Sequence, residues 1–163
     1  KDYFFKIRSF YYGQISQISK KKYIIDKLPV NFRWIGFILK SFPEAKVIHI
    51  DRNPMAVCWS NYKTHFVDVG MDFNLSQQDV AHYYSLYLKL MEFWEQQFKG
   101  KIFHISYEKF VQDFELNTKK ILSFLDLEWE DEMRNYENRV QQRPLTQAPF
   151  LLRYKNPMML FLP

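Results

Sequence analysis

The sequence predicts an α/β domain: a short parallel sheet flanked by helices. Three short apolar runs, Tyr23–Ile25, Val47–Ile50 and Ile102–Ile105, read as buried strands. The longer stretches around them carry apolar residues at helical spacing. Each run also leads into a stop or a helix-start signal: Pro29, Asn53-Pro54 and Ser106. At 163 residues the chain is one domain at most, long enough for a sizeable core. A hydrophobic share of 47% with only 4 glycines argues for a folded, globular chain. The net charge of +5 suits an anionic ligand; the basic residues are scattered apart from Lys20–Lys22, so no nucleic-acid partner is expected. The single cysteine, Cys58, excludes an internal disulfide and suits a reducing, cytoplasmic setting. No apolar run reaches the roughly 18–20 residues of a membrane span, so no membrane partner is expected either. Beginning at Lys1 without a signal-peptide pattern, the sequence reads as a fragment.

Residues 2–19 space Phe4, Ile7, Phe10 or Tyr11, Ile15 and Ile18 as one face of an amphipathic helix, with Gly13 its weak point. After the charged turn at Lys20–Lys22 comes the first strand, stopped by Pro29, which leaves Lys27 at its exit. A helix over Asn31–Ser41 should turn Phe32, Trp34, Ile35, Ile38 and Leu39 inward. Strand, helix and the second strand at Val47–Ile50 then form a βαβ unit, expected to pair in parallel through a right-handed crossover. A loop covers Val67–Leu75, Ser76 N-caps a long helix over Gln77–Phe98, and Gly100 ends it. The third strand, Ile102–Ile105, leads through Tyr107-Glu108 into helices ending at Leu125, with Trp129 and Met133 closing over the core. The four histidines show no metal-ligand spacing, so no metal is expected; His49 reads as a core histidine and His65 as a cap or surface residue.

The chemistry concentrates in KVIHIDRNPMAVCWS, Lys46–Ser60. Asn53 is a good N-cap and Pro54 suits the first helical position, so Arg52 lies between a strand's carboxyl end and a helix N-terminus. Ser60 follows two turns into that helix. A guanidinium fork, a hydroxyl and a helix dipole make a phosphate site, although the spacing equally fits a surface arginine and an unrelated helical serine.

The segment Asp26–Phe66 (DKLPVNFRWIGFILKSFPEAKVIHIDRNPMAVCWSNYKTHF) resembles the sulfotransferases that use 3′-phosphoadenosine 5′-phosphosulfate (PAPS). It looks nearest to the bacterial branch often fused to tetratricopeptide repeats, and shares its core pattern with protein-tyrosine sulfotransferases. The resemblance continues through Lys101–Met133 and covers most of the chain from Lys22 to about Val140. It implies a three-layer fold like that of P-loop NTPases, incomplete at the N-terminus. It also implies a nucleotide donor and an unknown acceptor, small molecule, glycan or peptide. Arg52 and Ser60 would bind the donor's 3′-phosphate. Tyr107, in the family's Tyr-Glu motif, would lie against adenine. Lys27, in a DK-x-P pattern, would stabilise charge at the transferring sulfuryl group. Glu108 reads as a first-turn helix charge and not a catalyst.

The resemblance also marks two departures. The Gly-rich strand–loop–helix that cradles the 5′-phosphosulfate has no counterpart here; in the family it lies upstream. After Val140 the family's nucleotide-closing segment is replaced by QQRPLTQAPFLLRYKNPMMLFLP, with Pro144, Pro149, Pro157 and Pro163. Residues 1–140 thus form a partial sulfotransferase domain and 141–163 an atypical tail, either poorly ordered or frameshifted. With permitted codons for Thr146–Leu162, a one-base shift spells NTSSFSVKIQKPHDAVST, close to the family segment. The function implied is sulfuryl transfer from PAPS to a hydroxyl or amine, absent from the isolated fragment. A non-catalytic nucleotide-binding or interaction module is the alternative, and a P-loop kinase fragment is disfavoured because no Walker lysine motif is present.

Overall fold

The computed structural model describes residues 2–64, 72–135 and 158–162. Helix α1 (Asp2–Ile18) precedes strand β1 (Ile24–Lys27), and a 3₁₀ turn at Pro29–Trp34 runs into α2 (Ile35–Ser41). Strand β2 (Lys46–Asp51) feeds α3 (Pro54–Lys63); α4 (Gln77–Gln97) leads to β3 (Ile102–Ser106). Helices α5 (Tyr107–Gln112) and α6 (Phe114–Leu125) follow, and β4 (Met158–Leu162) completes the described elements.

The sheet order is β1-β4-β2-β3. Strands β2 and β3 pair in parallel, residue for residue from Val47↔Ile102 to Asp51↔Ser106. The expected direct pairing of β1 with β2 is not present. Strand β4 lies between them, antiparallel to both, so β1 and β2 still run in the same direction but one strand apart. The physical reason is backbone satisfaction: each facing edge carries unpaired N–H and C=O groups, and β4 closes both ladders at once. Of the tail, residues 158–162 therefore belong to the sheet, while 141–157 and Pro163 lie outside the described residues, as do His65, Phe66 and most of the expected loop over 67–75.

Alternation along β2 and β3 divides the interior into two layers. On one face Val47 and Ile102 join Ile35, Leu39, Phe42, Ala45 and Met91, with Tyr87, Leu90 and Trp94 of α4 packed against them. On the other, Ile48, Ile50 and Ile105 meet Phe110 of α5 and Ile121 and Leu125 of α6. Helices thus cover both faces. Gly36 is where α2 passes over α4: a Cβ there would sit 2.7 Å from the Trp94 ring, whose indole N–H donates to the Phe32 carbonyl at 2.8 Å.

Several local expectations shift. The segment over Asn31–Ser41 starts as a 3₁₀ turn, in which residues three apart eclipse. Phe32 and Ile35 therefore both face inward, while Trp34, expected inside, is 50% exposed. In α1 the expected face holds at Phe4, Ile7, Tyr11 and Ile15, all half-buried, with Tyr12 joining Tyr11 edge-on to Phe42; Ile18, expected inside, faces solvent, as does Phe10. Trp129 does not close the core: it is half-buried and faces Lys119, whose ammonium lies 5.2 Å from the ring centre.

Candidate functional site

The site is built where β2 and β3 end together. Because Asp51 and Ser106 are register partners, the residues that follow, Arg52 and Tyr107, emerge side by side. The Arg52 guanidinium carbon lies 5.2 Å from the Tyr107 ring centre, within cation–π range. Glu108 locks the two exits: its carboxylate accepts the Asn53 backbone N–H at 3.0 Å and the Ser106 hydroxyl at 2.8 Å. The Asn53 N–H, then the Glu108 backbone N–H and the Ser106 hydroxyl, hold the Glu108 carboxyl below the usual carboxylate range. Sequence reading assigned Glu108 only a helix-end charge; the structure makes it the bridge between the strand ends.

Helix α3 starts as its sequence dictates. The Asn53 side-chain oxygen accepts from the N–H groups of Met55 at 3.0 Å and Ala56 at 3.2 Å, and Pro54 occupies the first turn. The helix N-terminus consequently opens beside Arg52, with its partial positive charge adding to that of the guanidinium. Ser60 is half-buried two turns along, and its carbonyl accepts the Thr64 hydroxyl at 2.7 Å. Among the described residues no hydrogen bond joins Ser60 to Arg52 or Tyr107.

Lys27 lies apart from this group. It is the last residue of β1 and pairs across β4 through Met159, which also pairs with Ile48. Lys27 is thus level with the middle of β2, two strand spacings (about 10 Å) across and roughly 13 Å short of Arg52 along the strand direction. Partial burial lowers its pKa. Neighbouring Asp26 is held by the Tyr11 hydroxyl at 2.7 Å and the Asn31 amide at 3.3 Å, which fixes the strand's exit.

A feature the sequence reading missed lies on the α4 face. His49 and His104 occupy the same position in the two strand runs, VIHID and IFHIS, and the parallel register sets them opposite one another. Their Nδ1 atoms are 2.9 Å apart. His49 Nε2 meets the Tyr87 hydroxyl, and His104 Nε2 meets Glu95 Oε2 at 2.9 Å. Burial, and then the neighbouring His104, push the His49 pKa down to about 4. His49 is the buried, satisfied histidine that was expected, but it satisfies itself through a second histidine. These groups line a cleft of about 360 Å³ that also includes Asp51, Tyr84, Met91 and Glu92. Among the described residues no His, Cys, Asp and Glu cluster is arranged to hold a metal ion, and no helix is long and apolar enough to cross a membrane.

A family model described as "Sulfotransferase family" matches residues 2–131. A protein of Aquifex aeolicus (strain VF5), described as an uncharacterized protein, is 34% identical over 132 residues, which is 78% of this chain and 17% of that protein. The chain therefore spans about a sixth of the length of the relative it matches. No solved structure matches.

Proposed function

Because the chain belongs to the sulfotransferase family, we propose that it supplies the nucleotide-binding part of an enzyme that moves a sulfuryl group from PAPS to a hydroxyl or amine acceptor. The observation that carries the reading is the register-matched exit of β2 and β3, which sets Arg52 against Tyr107 at the mouth of an N-capped helix. A 3′-phosphate there meets a forked cation and a helix dipole together. Ser60 adds a hydroxyl from the second turn of α3, and Tyr107, 44% exposed, offers a ring face to adenine. Lys27, the last residue of β1 on the far side of β4, is the residue we assign to the sulfuryl end of the donor. There an ammonium favours the negative charge that builds on the bridging oxygen during in-line displacement at sulfur. No covalent enzyme intermediate is needed.

The fold in this reading is the three-layer arrangement of P-loop NTPases, with residues 1–140 as the partial domain and the tail after it atypical. Nothing in the 163-residue sequence provides a Gly-rich phosphate cradle, and its 4 glycines are dispersed. The isolated chain accordingly binds nucleotide weakly and does not turn over. That same feature favours the second reading, a module of this fold that binds a nucleotide or a partner without catalysis.

The test is a titration with adenosine 3′,5′-bisphosphate against adenosine 5′-monophosphate. Arg52→Ala should weaken the bisphosphate by roughly 1.5–3 kcal/mol and leave the monophosphate nearly unchanged. Equal losses for both ligands would remove Arg52 from a phosphate site. Transfer from labelled PAPS to a broad acceptor panel, by the chain alone and by the full-length protein, separates the two readings.

A further inference from the structure

The half-buried guanidinium of Arg52 rests against the Tyr107 ring, yet among the described residues no hydrogen bond or ion pair engages its N–H groups. A carboxylate nevertheless sits close by. The Asn53 N–H, the Glu108 backbone and the Ser106 hydroxyl lower the Glu108 pKa most, and the charge of Arg52 lowers it further. An arginine beside a glutamate ordinarily pairs with it, because the guanidinium fork matches a carboxylate. Here both carboxylate oxygens have other partners. Oε1 accepts the Asn53 N–H at 3.0 Å, and Oε2 accepts the Ser106 hydroxyl at 2.8 Å. Ser106 stands at the N-cap of α5, where a serine side chain usually accepts a helix N–H, but it makes no such bond. Its hydroxyl is turned to Glu108 instead.

We propose that Ser106 is a specificity-determining positioning residue: with the Asn53 N–H it holds the Glu108 carboxylate off Arg52, and so keeps the guanidinium fork available to the donor's 3′-phosphate. The proposal rests on the nucleotide reading of this site given above. The register accounts for the juxtaposition, since Ser106 pairs with Asp51 and the two residues that follow them are Tyr107 and Arg52. The two carboxylate oxygens differ in what holds them. Oε1 is engaged by a backbone N–H at the start of α3, which no side-chain substitution removes. Oε2 depends on one hydroxyl. Without that hydroxyl, the cation whose charge already acts on the carboxylate is Arg52. A carboxylate paired to Arg52 competes with phosphate for the same planar fork. A nucleotide that lacks the 3′-phosphate makes no demand on the fork and is indifferent to the change.

The test compares wild type, Ser106→Ala and the double variant Ser106→Ala with Glu108→Gln, each titrated with adenosine 3′,5′-bisphosphate and adenosine 5′-monophosphate and followed by NMR. Ser106→Ala should weaken the bisphosphate about fivefold, the reach of a competing exposed ion pair, and leave the monophosphate unchanged. In the double variant the neutral amide still offers an oxygen to the Asn53 N–H but cannot pair with Arg52 as an anion. Bisphosphate affinity should return at least to the wild-type value. An unchanged bisphosphate affinity in Ser106→Ala would overturn the proposal. So would a loss that Glu108→Gln does not restore, because the cause would then be the strand end itself and not the carboxylate. A second readout needs no nucleotide: the ¹H–¹⁵N signal of Arg52 Nε should move downfield in Ser106→Ala and return in the double variant. A signal indifferent to Ser106→Ala would overturn the hold on Glu108 whatever binds. Equal binding of both nucleotides by wild type would overturn the 3′-phosphate reading and the specificity role with it, while the Arg52 signal still judges the hold on Glu108 by itself.

Discussion

Acid should unfold this protein earlier than its carboxylates alone require, and His49 is the reason. Its folded-state pKa is depressed from 6.5 to about 4, because charging it would place a cation inside the α4 layer against His104. Between those values the unfolded chain binds a proton that the folded chain does not, so stability rises with pH across the window. At pH 7 the effect is nearly absent. At pH 5 the unfolded state gains from protonating His49 over about 1.5 pH units, which lowers stability by about 2 kcal/mol. Urea unfolding at pH 7 and pH 5 measures this directly. His49→Gln starts less stable, having lost part of the Tyr87–His49–His104 chain, but its stability should change much less between the two pH values. If wild type and variant lose the same amount on acidification, the acid sensitivity lies elsewhere and His49 is not held neutral by its surroundings.

Two further predictions concern the proposed donor site and the packing beneath it. In the full-length protein, Lys27→Met should lower kcat and kcat/KM together with little change in nucleotide affinity, since its contact strengthens in the transition state; a rise in the nucleotide Kd alone would make Lys27 a ground-state binding residue. Gly36→Ala places a methyl 2.7 Å from the Trp94 ring and should cost about 1–3 kcal/mol in chemical denaturation. Gly36→Ala combined with Trp94→Phe should recover part of that loss, and no recovery would place the strain outside this contact.

What could be read from the sequence was what is decided locally. Asn53 and Ser76 are both seen accepting backbone N–H groups at the starts of α3 and α4, as N-cap chemistry requires. The strands at 47–50 and 102–105 were legible because apolar runs bounded by turns have few other uses. The neighbour of β1 was not legible. Its partner comes from residues 158–162, and nothing near Ile24 specifies a pairing so distant in the chain. The convergence of Arg52 and Tyr107 followed from two separate motifs, each ending a strand, but the sheet register is what sets them face to face. His49 and His104 show the converse. Each is a single polar residue in an apolar run, unremarkable alone, and only the parallel register turns the two into one hydrogen-bonded unit. Trp34 misled because a helix of 3.6 residues per turn was assumed where Pro29 starts a tighter one.

The position of β4 has a consequence for how the molecule assembles. Among the described residues strand β1 is joined to the sheet only through β4, so the ladder of residues 24–27 waits until residues 159–162 have been made and have reached them. The parallel pair β2–β3 can form beforehand on its own. Closure of the sheet is then a late event dominated by contacts distant in sequence, the kind that slows folding and leaves an edge open meanwhile. Amide exchange should report it: the N–H groups of β1 and β4 should open together and more readily than those of β2 and β3, as one cooperative unit.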